Sequence, residues 1–525
     1  MPLPLRKILF VIPSYSHKLI DKHTLPSKVV PYGVLSLASY IKQNCPGTEC
    51  RVIDFNAESQ DMEVQLTLLK SSMLEFQPDM VGLSVMYNAC KDYVAPFAEV
   101  IKLTAPDAML TVGGIMATNL PEDVFSASPL VDAICFGEGE IPLRDLLNSE
   151  NPDSVLREHP SWLLPDSIKN GKHPAHSLVV DLDEIPPIDY SLINVRNYHS
   201  RINSKTGTDG FTLPIHSTRG CPFDCIFCCS AANHGRKVRS MSAACFLSDV
   251  ELMVRDYGIT KLSIDDDQFL FYRDRAIEIL TGLEKFGLEL EMANGLTVRF
   301  IDDEIAALLK KAGLKIAVLA IESGSPRVLS EIIGKPLDLR QVRPAVEALR
   351  KQNLAIHTFF IIGFPGETTE DRQLTREHIL ETGYDWNGIY IATPYKGSRL
   401  FDLCREKGYI QENSSSELNI YECQITAPGI DPAAITREAY LLNLDVNFVN
   451  NYNLSHGHES KAAEYFAGVA RRYPTHAFAH YFLAKAMESI PGSNPDAIKE
   501  HYGRFKEITV SDKEWMNHAV HFKIL

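Results

Sequence analysis

The chain has 525 residues, 45% of them apolar and 23% charged, with a formal net charge of −15. That length exceeds one ordinary core, so two to four domains are expected, with the composition of a soluble globular protein. The acidic balance argues against a nucleic-acid partner, which needs basic surface, and no apolar run is long enough to span a bilayer.

Met1 to Lys7 leads straight into a strand without a signal peptide's apolar stretch, and the chain carries eleven cysteines; both features point to a reducing cytoplasm. Lys7 to Pro13 is a short continuous apolar run, the pattern of a buried parallel strand. A helix is predicted from Tyr32-Gly33 to Gln43. Further strands are predicted at Arg51 to Phe55, Asp79 to Met86, Ala108 to Gly113 and Asp132 to Phe136, with helical segments between. This alternation predicts a doubly wound, Rossmann-like parallel sheet over residues 1–150. Ligands of such sheets bind at the carboxyl ends of the strands, where Gly113-Gly114 and Gly137-Glu138-Gly139-Glu140 stand. Residues 151–210 are rich in Pro, Asp, Ser and Asn and hold a Pro186-Pro187 turn, so an ordered connector is expected.

Residues 211–425 alternate again. Strands are predicted at Leu213 to Ser217, Lys261 to Ile264, Glu289 to Gly295, Ile316 to Ile321, Ala355 to Gly363 and Gly388 to Thr393. Helices such as Ala276 to Phe286 and Asp303 to Ala312 lie between them. Six units predict a partial (β/α)6 barrel with its chemistry at the C-terminal strand ends. After the first strand comes Arg219-Gly-Cys-Pro-Phe-Asp-Cys-Ile-Phe-Cys228. Thiolates at Cys221, Cys225 and Cys228 can hold three irons of a cubic cluster, and the fourth iron is left without a protein ligand. A cluster that only carries electrons usually takes four, so an open iron implies that a small molecule binds it. A structural zinc site wants four ligands in paired spacing, and Cys229, beside Cys228, is badly placed as a fourth; it reads as a packed thiol. The later strand ends carry Asp265-Asp266-Asp267-Gln268-Phe269, then Asn294 and Arg299, then Ala320-Ile-Glu322-Ser323-Gly324-Ser325 and Gly334-Lys335. The fifth ends in Gly363-Phe-Pro-Gly-Glu-Thr368 and the sixth in Thr393-Pro-Tyr395-Lys-Gly-Ser398. Residues 426–525 read as a helical cap, with helices at Lys461 to Tyr473, Ala477 to Met487 and Asn494 to Ile508. The first pair is similar to a single tetratricopeptide-like unit, whereas a solenoid needs more.

The cysteine spacing, with Phe227 before the last cysteine, resembles the radical S-adenosylmethionine (SAM) enzymes. The resemblance implies a [4Fe-4S] cluster on Cys221, Cys225 and Cys228 that chelates SAM and cleaves it to a 5′-deoxyadenosyl radical. It places Phe227, Asn294, Arg299, Glu322, Ser323, Gly363 and Tyr395 around SAM, with Arg299 towards its carboxylate and Glu322 towards its ribose or methionyl part. The aspartate run resembles the Asp-Asp-x-Phe motif of cobalamin-dependent members. One carboxylate would meet the SAM ammonium, and at least one is expected to cap the following helix.

Pro31 to Ala38 and Asp132 to Glu140 resemble two signatures of the cobalamin (B12)-binding domain that precedes many such barrels. The implied cobalamin residues are Gly33, Ser84, Tyr87, Gly113, Gly114, Gly137 and Glu138. The Asp-x-His-x-x-Gly stretch that supplies a lower axial histidine is replaced by Ser14 to Leu19, which implies cobalt without a protein imidazole; Tyr87 or Asn88 would approach that face.

The family reading implies a cytoplasmic, cobalamin-dependent radical SAM C-methyltransferase acting on an unactivated carbon, with no catalytic residue assigned beyond the cofactor ligands. Its expected partners are a small-molecule or peptide substrate and an external one-electron reductant such as flavodoxin or ferredoxin. Ring contraction or oxidative cyclisation on the same scaffold, or a cobalamin-binding sensor with an inactive barrel, are the alternatives. Methylthio transfer needs a second N-terminal cluster, whereas Cys45, Cys50, Cys90 and Cys135 are scattered between elements.

Overall fold

The computed structural model describes residues 5–14, 28–86, 90–198, 210–292, 294–410 and 420–525. The first sheet contains β1 (Lys7–Ile12), β2 (Glu49–Asp54), β3 (Met80–Ser84), β4 (Met109–Gly113), β5 (Ala133–Cys135) and β6 (Trp162–Leu163), in the order β2-β1-β3-β4-β5-β6. The first five are parallel and β6 is antiparallel to β5. The order reverses between β1 and β3, and that switch point opens a crevice at their carboxyl ends. Tyr87 and Asn88, expected just past β3, lie outside the described residues, as do residues 15–19 of the replaced histidine stretch.

Strand β6 falls where the sequence reading put connector. Trp162 and Leu163 are both fully buried and close the sheet's apolar edge; two residues are too few for periodicity to report. The rest of the connector stitches the domains together. Asp189 N–H donates to Ser39 Oγ (2.8 Å), Tyr198 Oη to Asp54 Oδ2 (2.7 Å) and Tyr190 Oη to the Pro214 carbonyl (2.9 Å).

The barrel strands are β7 (Thr212–Ile215), β10 (Lys261–Ile264), β11 (Glu289–Glu291), β12 (Ile316–Glu322), β13 (Ala355–Ile362) and β14 (Trp386–Ile391); β8 (Thr218–Arg219) and β9 (Arg239–Ser240) form a small antiparallel pair beside the cluster loop. Sheets β11-β10-β7 and β12-β13-β14 are joined through the parallel bridges Leu290↔Leu314 and Leu296↔Leu319, giving one open, six-stranded parallel wall. Strand β11 is shorter than expected because Gly295 takes φ +87° and turns the chain, a conformation that suits glycine.

The C-terminal part holds helices Pro432–Leu444, Glu459–Arg472, Ala477–Glu488, Pro495–Ser511 and Lys513–His521. The first and last go beyond the sequence expectation. Ile435 and Leu442 of the first join the barrel core, whereas the later helices share a separate core around Phe466, Phe478 and Phe482. The cap meets the barrel at the N-terminal ends of β13 and β14. Tyr465 Oη lies 2.8 Å from His357 Nε2, its ring stacks on Trp386 (5.5 Å), and Lys461 pairs with Asp385 at 2.6 Å. These later helices therefore lie at the end opposite the cysteine loop, whereas Ile435 of the first packs against Gly363, just past the carboxyl end of β13. No described helix is long and apolar enough to cross a membrane.

Candidate active site at the junction of two strand edges

The cysteine loop is fixed first by Asp266 at the end of β10. Its carboxylate accepts from Ser217 N–H (2.5 Å), Ser217 Oγ (2.5 Å) and Thr218 N–H (3.0 Å), which ties the loop's entry to the second barrel strand. Burial outweighs these bonds and pushes the Asp266 carboxyl up to about 6. Asp265 accepts from Ser263 Oγ (2.6 Å), and Asp267 accepts from Ser230 Oγ. None of the three caps the following helix, Arg273–Leu283, whose N-cap is Tyr272. The five residues Gln268–Tyr272 intervene, so the aspartates are left to brace the loop instead.

Gly220 enters the loop at φ +90°, where a Cβ would stand 2.4 Å from the Lys237 carbonyl oxygen. Ile226 N–H donates to the Ile333 carbonyl and the Ile226 carbonyl accepts from Leu400 N–H, each at 2.8 Å, so the middle of the loop is fastened to the helical segments that follow the fourth and sixth strands. All three cysteines carry free thiols; Cys221 and Cys225 are half-buried and Cys228 is exposed. Burial pushes the Cys225 thiol up to about 12 and raises the Cys221 thiol as well. Two N–H groups already point at the sulfurs: Gln268 Nε2 donates to Cys221 Sγ (3.3 Å) and Ser230 N to Cys228 Sγ (3.4 Å). Such donors stabilise metal-bound thiolates, so the loop fits an iron–sulfur cluster. No group of three or more His, Cys, Asp or Glu among the described residues is gathered around a single ion position. Gln268 was missed in the sequence; an amide directly after three carboxylates was the available signal.

The fourth and fifth strand ends build the facing wall. Glu322 has φ +75°, follows a register shift in β12, and its carboxylate meets Lys335 Nζ at 3.1 Å. A left-handed glutamate is strained and is held by its surroundings, a common feature of functional sites. Ser323 is fully buried. Gly324 N–H donates to Thr375 Oγ1 (3.0 Å), and a Cβ there would stand 2.6 Å from Thr375 Cα. Gly363 has φ +89°, and its N–H donates to Glu367 Oε2 at 2.5 Å. Phe227 faces Phe364 across the loop, with ring centroids 6.1 Å apart. Cys229 Sγ contacts the Lys396 carbonyl at 3.8 Å, beside the exposed Tyr395. Asn294 Nδ2 donates to the Asp265 carbonyl (2.7 Å), whereas the exposed Arg299 lays its guanidinium over its neighbour Phe300 at 5.3 Å.

Burial pushes the Glu367 carboxyl up to about 7, against its backbone bonds from Gly363 and Phe364. A raised carboxyl favours the folded state most at low pH, and that stabilisation is lost as pH rises through the folded value. Glu367→Gln is therefore expected to lose on the order of 2 kcal/mol less than wild type between pH 5 and pH 8, read from melting curves across that range.

The cobalamin-like edge meets this wall directly. Ser84 pairs with Gly113, and Val85 N–H donates to the Gly113 carbonyl (2.8 Å). Gly114 has φ +99°, and a Cβ there would lie 2.6 Å from the Val85 carbonyl oxygen; one at Gly137 would lie 2.5 Å from His176 Nδ1. Gly33 is exposed on the first turn of helix Tyr32–Asn44, next to Tyr32, whose ring lies 4.5 Å from that of His216 at the end of β7. Desolvation, reinforced by the Arg219 charge, holds His216 down to about 3, so the imidazole is neutral.

Glu138, one of the expected cobalamin residues, turns its carboxylate to the barrel. It accepts from Arg219 Nη1 (3.1 Å) and Arg239 Nη2 (2.5 Å) and lies 2.8 Å from His234 Nδ1. Arg219 also reaches Glu140 (2.8 Å) and Ser36 Oγ (3.2 Å). Burial opposes ionisation of Glu138, but the His234 hydrogen bond and the two guanidinium charges outweigh it, and the carboxyl stays well below the usual range. Around this hub His176 Nδ1, Asn233 Oδ1, Arg239 Nε and Thr218 Oγ1 are buried and find no hydrogen-bond partner among the described residues. Glycine cradles beside orphaned donors and acceptors fit a large ligand fringed with carboxamides, as cobalamin is.

Comparison with known proteins agrees with this geometry. A model of the radical SAM superfamily matches residues 215–379, and a model of the B12 binding domain matches residues 19–147. An uncharacterized methyltransferase, PH0819, of Pyrococcus horikoshii is 29% identical over 75% of this chain and 82% of its own length. Cytidylyl-2-hydroxyethylphosphonate methyltransferase of Streptomyces wedmorensis is 27% identical over 84% and 90% respectively. Among solved structures, the cobalamin-dependent SAM radical enzyme OxsB, with aqua-cobalamin and SAM bound, superposes with a TM-score of 0.67 at 14% identity, covering 99% of this chain and 81% of its own.

Proposed function

We propose that this chain, which belongs to the radical SAM enzymes that carry a B12-binding domain, is a C-methyltransferase acting on an unactivated carbon of a small molecule. The observation that carries this reading is the meeting of the two carboxyl edges, joined at the cysteine loop through Arg219 and Glu138. Methyl transfer between two cofactors and a substrate demands one enclosed pocket on one scaffold. The curated relatives above are methyltransferases.

When bound, the cluster supplies the electron that breaks a C–S bond of SAM, and cobalamin supplies a methyl carrier. The chain's own residues hold and shield. We assign Cys221, Cys225 and Cys228 to the cluster, with Gln268 and the Ser230 amide bonded to the sulfurs. Glu322, oriented by Lys335, is assigned to the SAM ribose or methionyl hydroxyl and amino donors, with Ser323, Gly363, Tyr395, Phe227, Asn294 and Arg299 completing that site. Ser84, Gly113, Gly114, Gly137 and Gly33 are assigned to the cobalamin edge. Phe227 and Phe364 keep water from the loop's inner side. On this reading the enzyme works in the cytoplasm and takes its electron from an external donor.

Glu322→Gln is expected to weaken SAM binding at least tenfold, about 1.4 kcal/mol, while leaving cluster absorbance unchanged, as read by SAM titration of reconstituted protein. The function itself is tested by anaerobic reconstitution with iron, sulfide and cobalamin, then mass spectrometry of SAM products. 5′-Deoxyadenosine together with S-adenosylhomocysteine is the expected outcome. Deoxyadenosine alone would move the reading to rearrangement or cyclisation.

A further inference from the structure

We propose that the exposed basic rim around Asp224 is the docking surface for an acidic one-electron donor protein. The inference rests on the radical SAM reading, in which each SAM cleavage consumes one electron delivered to the cluster from outside.

Electron tunnelling falls steeply with distance, so a donor must approach the cysteine loop itself. Most approaches are covered. On one side Arg219 is bonded into Glu138 and Glu140, and helix Ser230–His234 packs on helix Ile115–Asn119. Lys396, which touches Cys229 through its carbonyl, pairs with Asp123 at 2.7 Å, and Gly397 is pressed so close that a Cβ would stand 2.4 Å from Asn119 Cγ. Beneath the loop, Ile226 is buried and bonded to Ile333 and Leu400. The flank between Cys221 and Cys225 is open at the outer surface, where Pro222 and Asp224 are exposed.

Two arginines from distant segments converge on that flank. Arg236 Nη2 meets Asp224 Oδ1 and Arg399 Nη1 meets Asp224 Oδ2, both at 2.5 Å, and Arg399 also reaches the Asp224 carbonyl (3.3 Å). Their side chains remain 53% and 59% exposed, so each keeps donors facing solvent. Lys237 is exposed beside them. Nearby Arg405 and Lys407 are matched by Asp402 (3.5 Å) and Glu406 (3.7 Å). Arg236 and Arg399, with the exposed Lys237 next to Arg236, thus outnumber the single carboxylate of Asp224 that they share, in a chain of net charge −15. A local reversal of sign steers an oppositely charged partner and does so in a salt-dependent way. Asp224 holds the two guanidinium groups side by side over the loop, an arrangement suited to carboxylates of a partner.

The transfer itself is simple: the donor loses one electron and the cluster gains it, with no bond made or broken. It is tested on reconstituted holoenzyme by stopped-flow bleaching of cluster absorbance, without SAM, so the readout does not depend on whether the enzyme methylates. The probes are a reduced flavodoxin and, separately, dithionite, which needs no docking. For Arg236→Glu/Arg399→Glu, reduction by flavodoxin is expected to slow at least tenfold at low salt and to lose the salt dependence of wild type, with the dithionite rate retained. Arg236→Lys/Arg399→Lys should recover most of the rate. Lys499→Glu/Arg504→Glu, with the same charge change on the cap, should leave it unaltered. Equal flavodoxin rates in wild type and the reversed variant would overturn the proposal. So would parallel loss of both rates or of cluster absorbance, because the arginines would then only be holding the loop.

Discussion

Cys225→Ala is expected to abolish the cluster's absorbance and to reduce SAM cleavage to background, while cobalamin still binds. Cys225 is the middle ligand of the loop, and its carbonyl accepts from Cys228 N–H at 3.0 Å, so the loop's backbone does not depend on the thiol. Two remaining sulfurs cannot retain a cubane, and Cys229, held against the Lys396 carbonyl, is not free to replace the lost one. The stability cost is small, below about 1 kcal/mol, because a half-buried thiol is exchanged for a methyl group. Iron and sulfide analysis, circular dichroism and cobalamin absorbance on the same sample separate loss of the cluster from loss of the fold. Retained SAM cleavage in this variant would mean that the loop is not the cluster site.

Glu138→Gln is the second large effect and acts on the domain junction. The substitution removes the one anion that faces Arg219, Arg239 and His234 together; Arg219 keeps Glu140, but Arg239 loses its carboxylate at a side-chain exposure of 4%. Breaking a buried pair in this way costs about 3–5 kcal/mol. The loss should appear as a lower melting temperature of the holo protein or a split into two transitions as the domains separate. Because the Glu138 carboxyl is depressed in the folded state, its contribution is present above the unfolded value near 4.5 and fades as pH falls towards the folded one. Wild type should therefore lose stability below about pH 4.5 more steeply than Glu138→Gln. At neutral pH the variant should raise the ratio of deoxyadenosine to S-adenosylhomocysteine, since SAM cleavage needs the barrel alone and methyl transfer needs both edges aligned. A parallel fall of both products at unchanged ratio would reduce the hub to a purely structural role.

Much of this architecture is legible in the chain. The parallel strands announce themselves as short apolar runs, and the glycines of their carboxyl ends mark both edges of the junction. Positions 221, 225 and 228 sit on the loop after the first barrel strand, as the spacing demanded. Pairings between domains are not legible. Glu138 and Arg219 stand 81 residues apart, and neither periodicity nor propensity reports on which carboxylate meets which guanidinium across a seam. Asp266 and Gln268 illustrate the same limit at shorter range. The sequence marks the run 265–269 as special, but only the fold decides that one member braces the loop and another bonds a sulfur. The left-handed turn at Glu322 was equally hidden, because nothing in a glutamate announces a positive φ. Strand β6 and the helix Lys513–His521 were missed because short elements are fixed by what they cover.

The account stands on one open corner of a cubane held by three sulfurs, and electron paramagnetic resonance of reduced, anaerobically reconstituted protein tests it most directly. A [4Fe-4S] signal whose g-values shift when SAM is added is the predicted result. A single-ion spectrum, or a cluster signal indifferent to SAM, would contradict it.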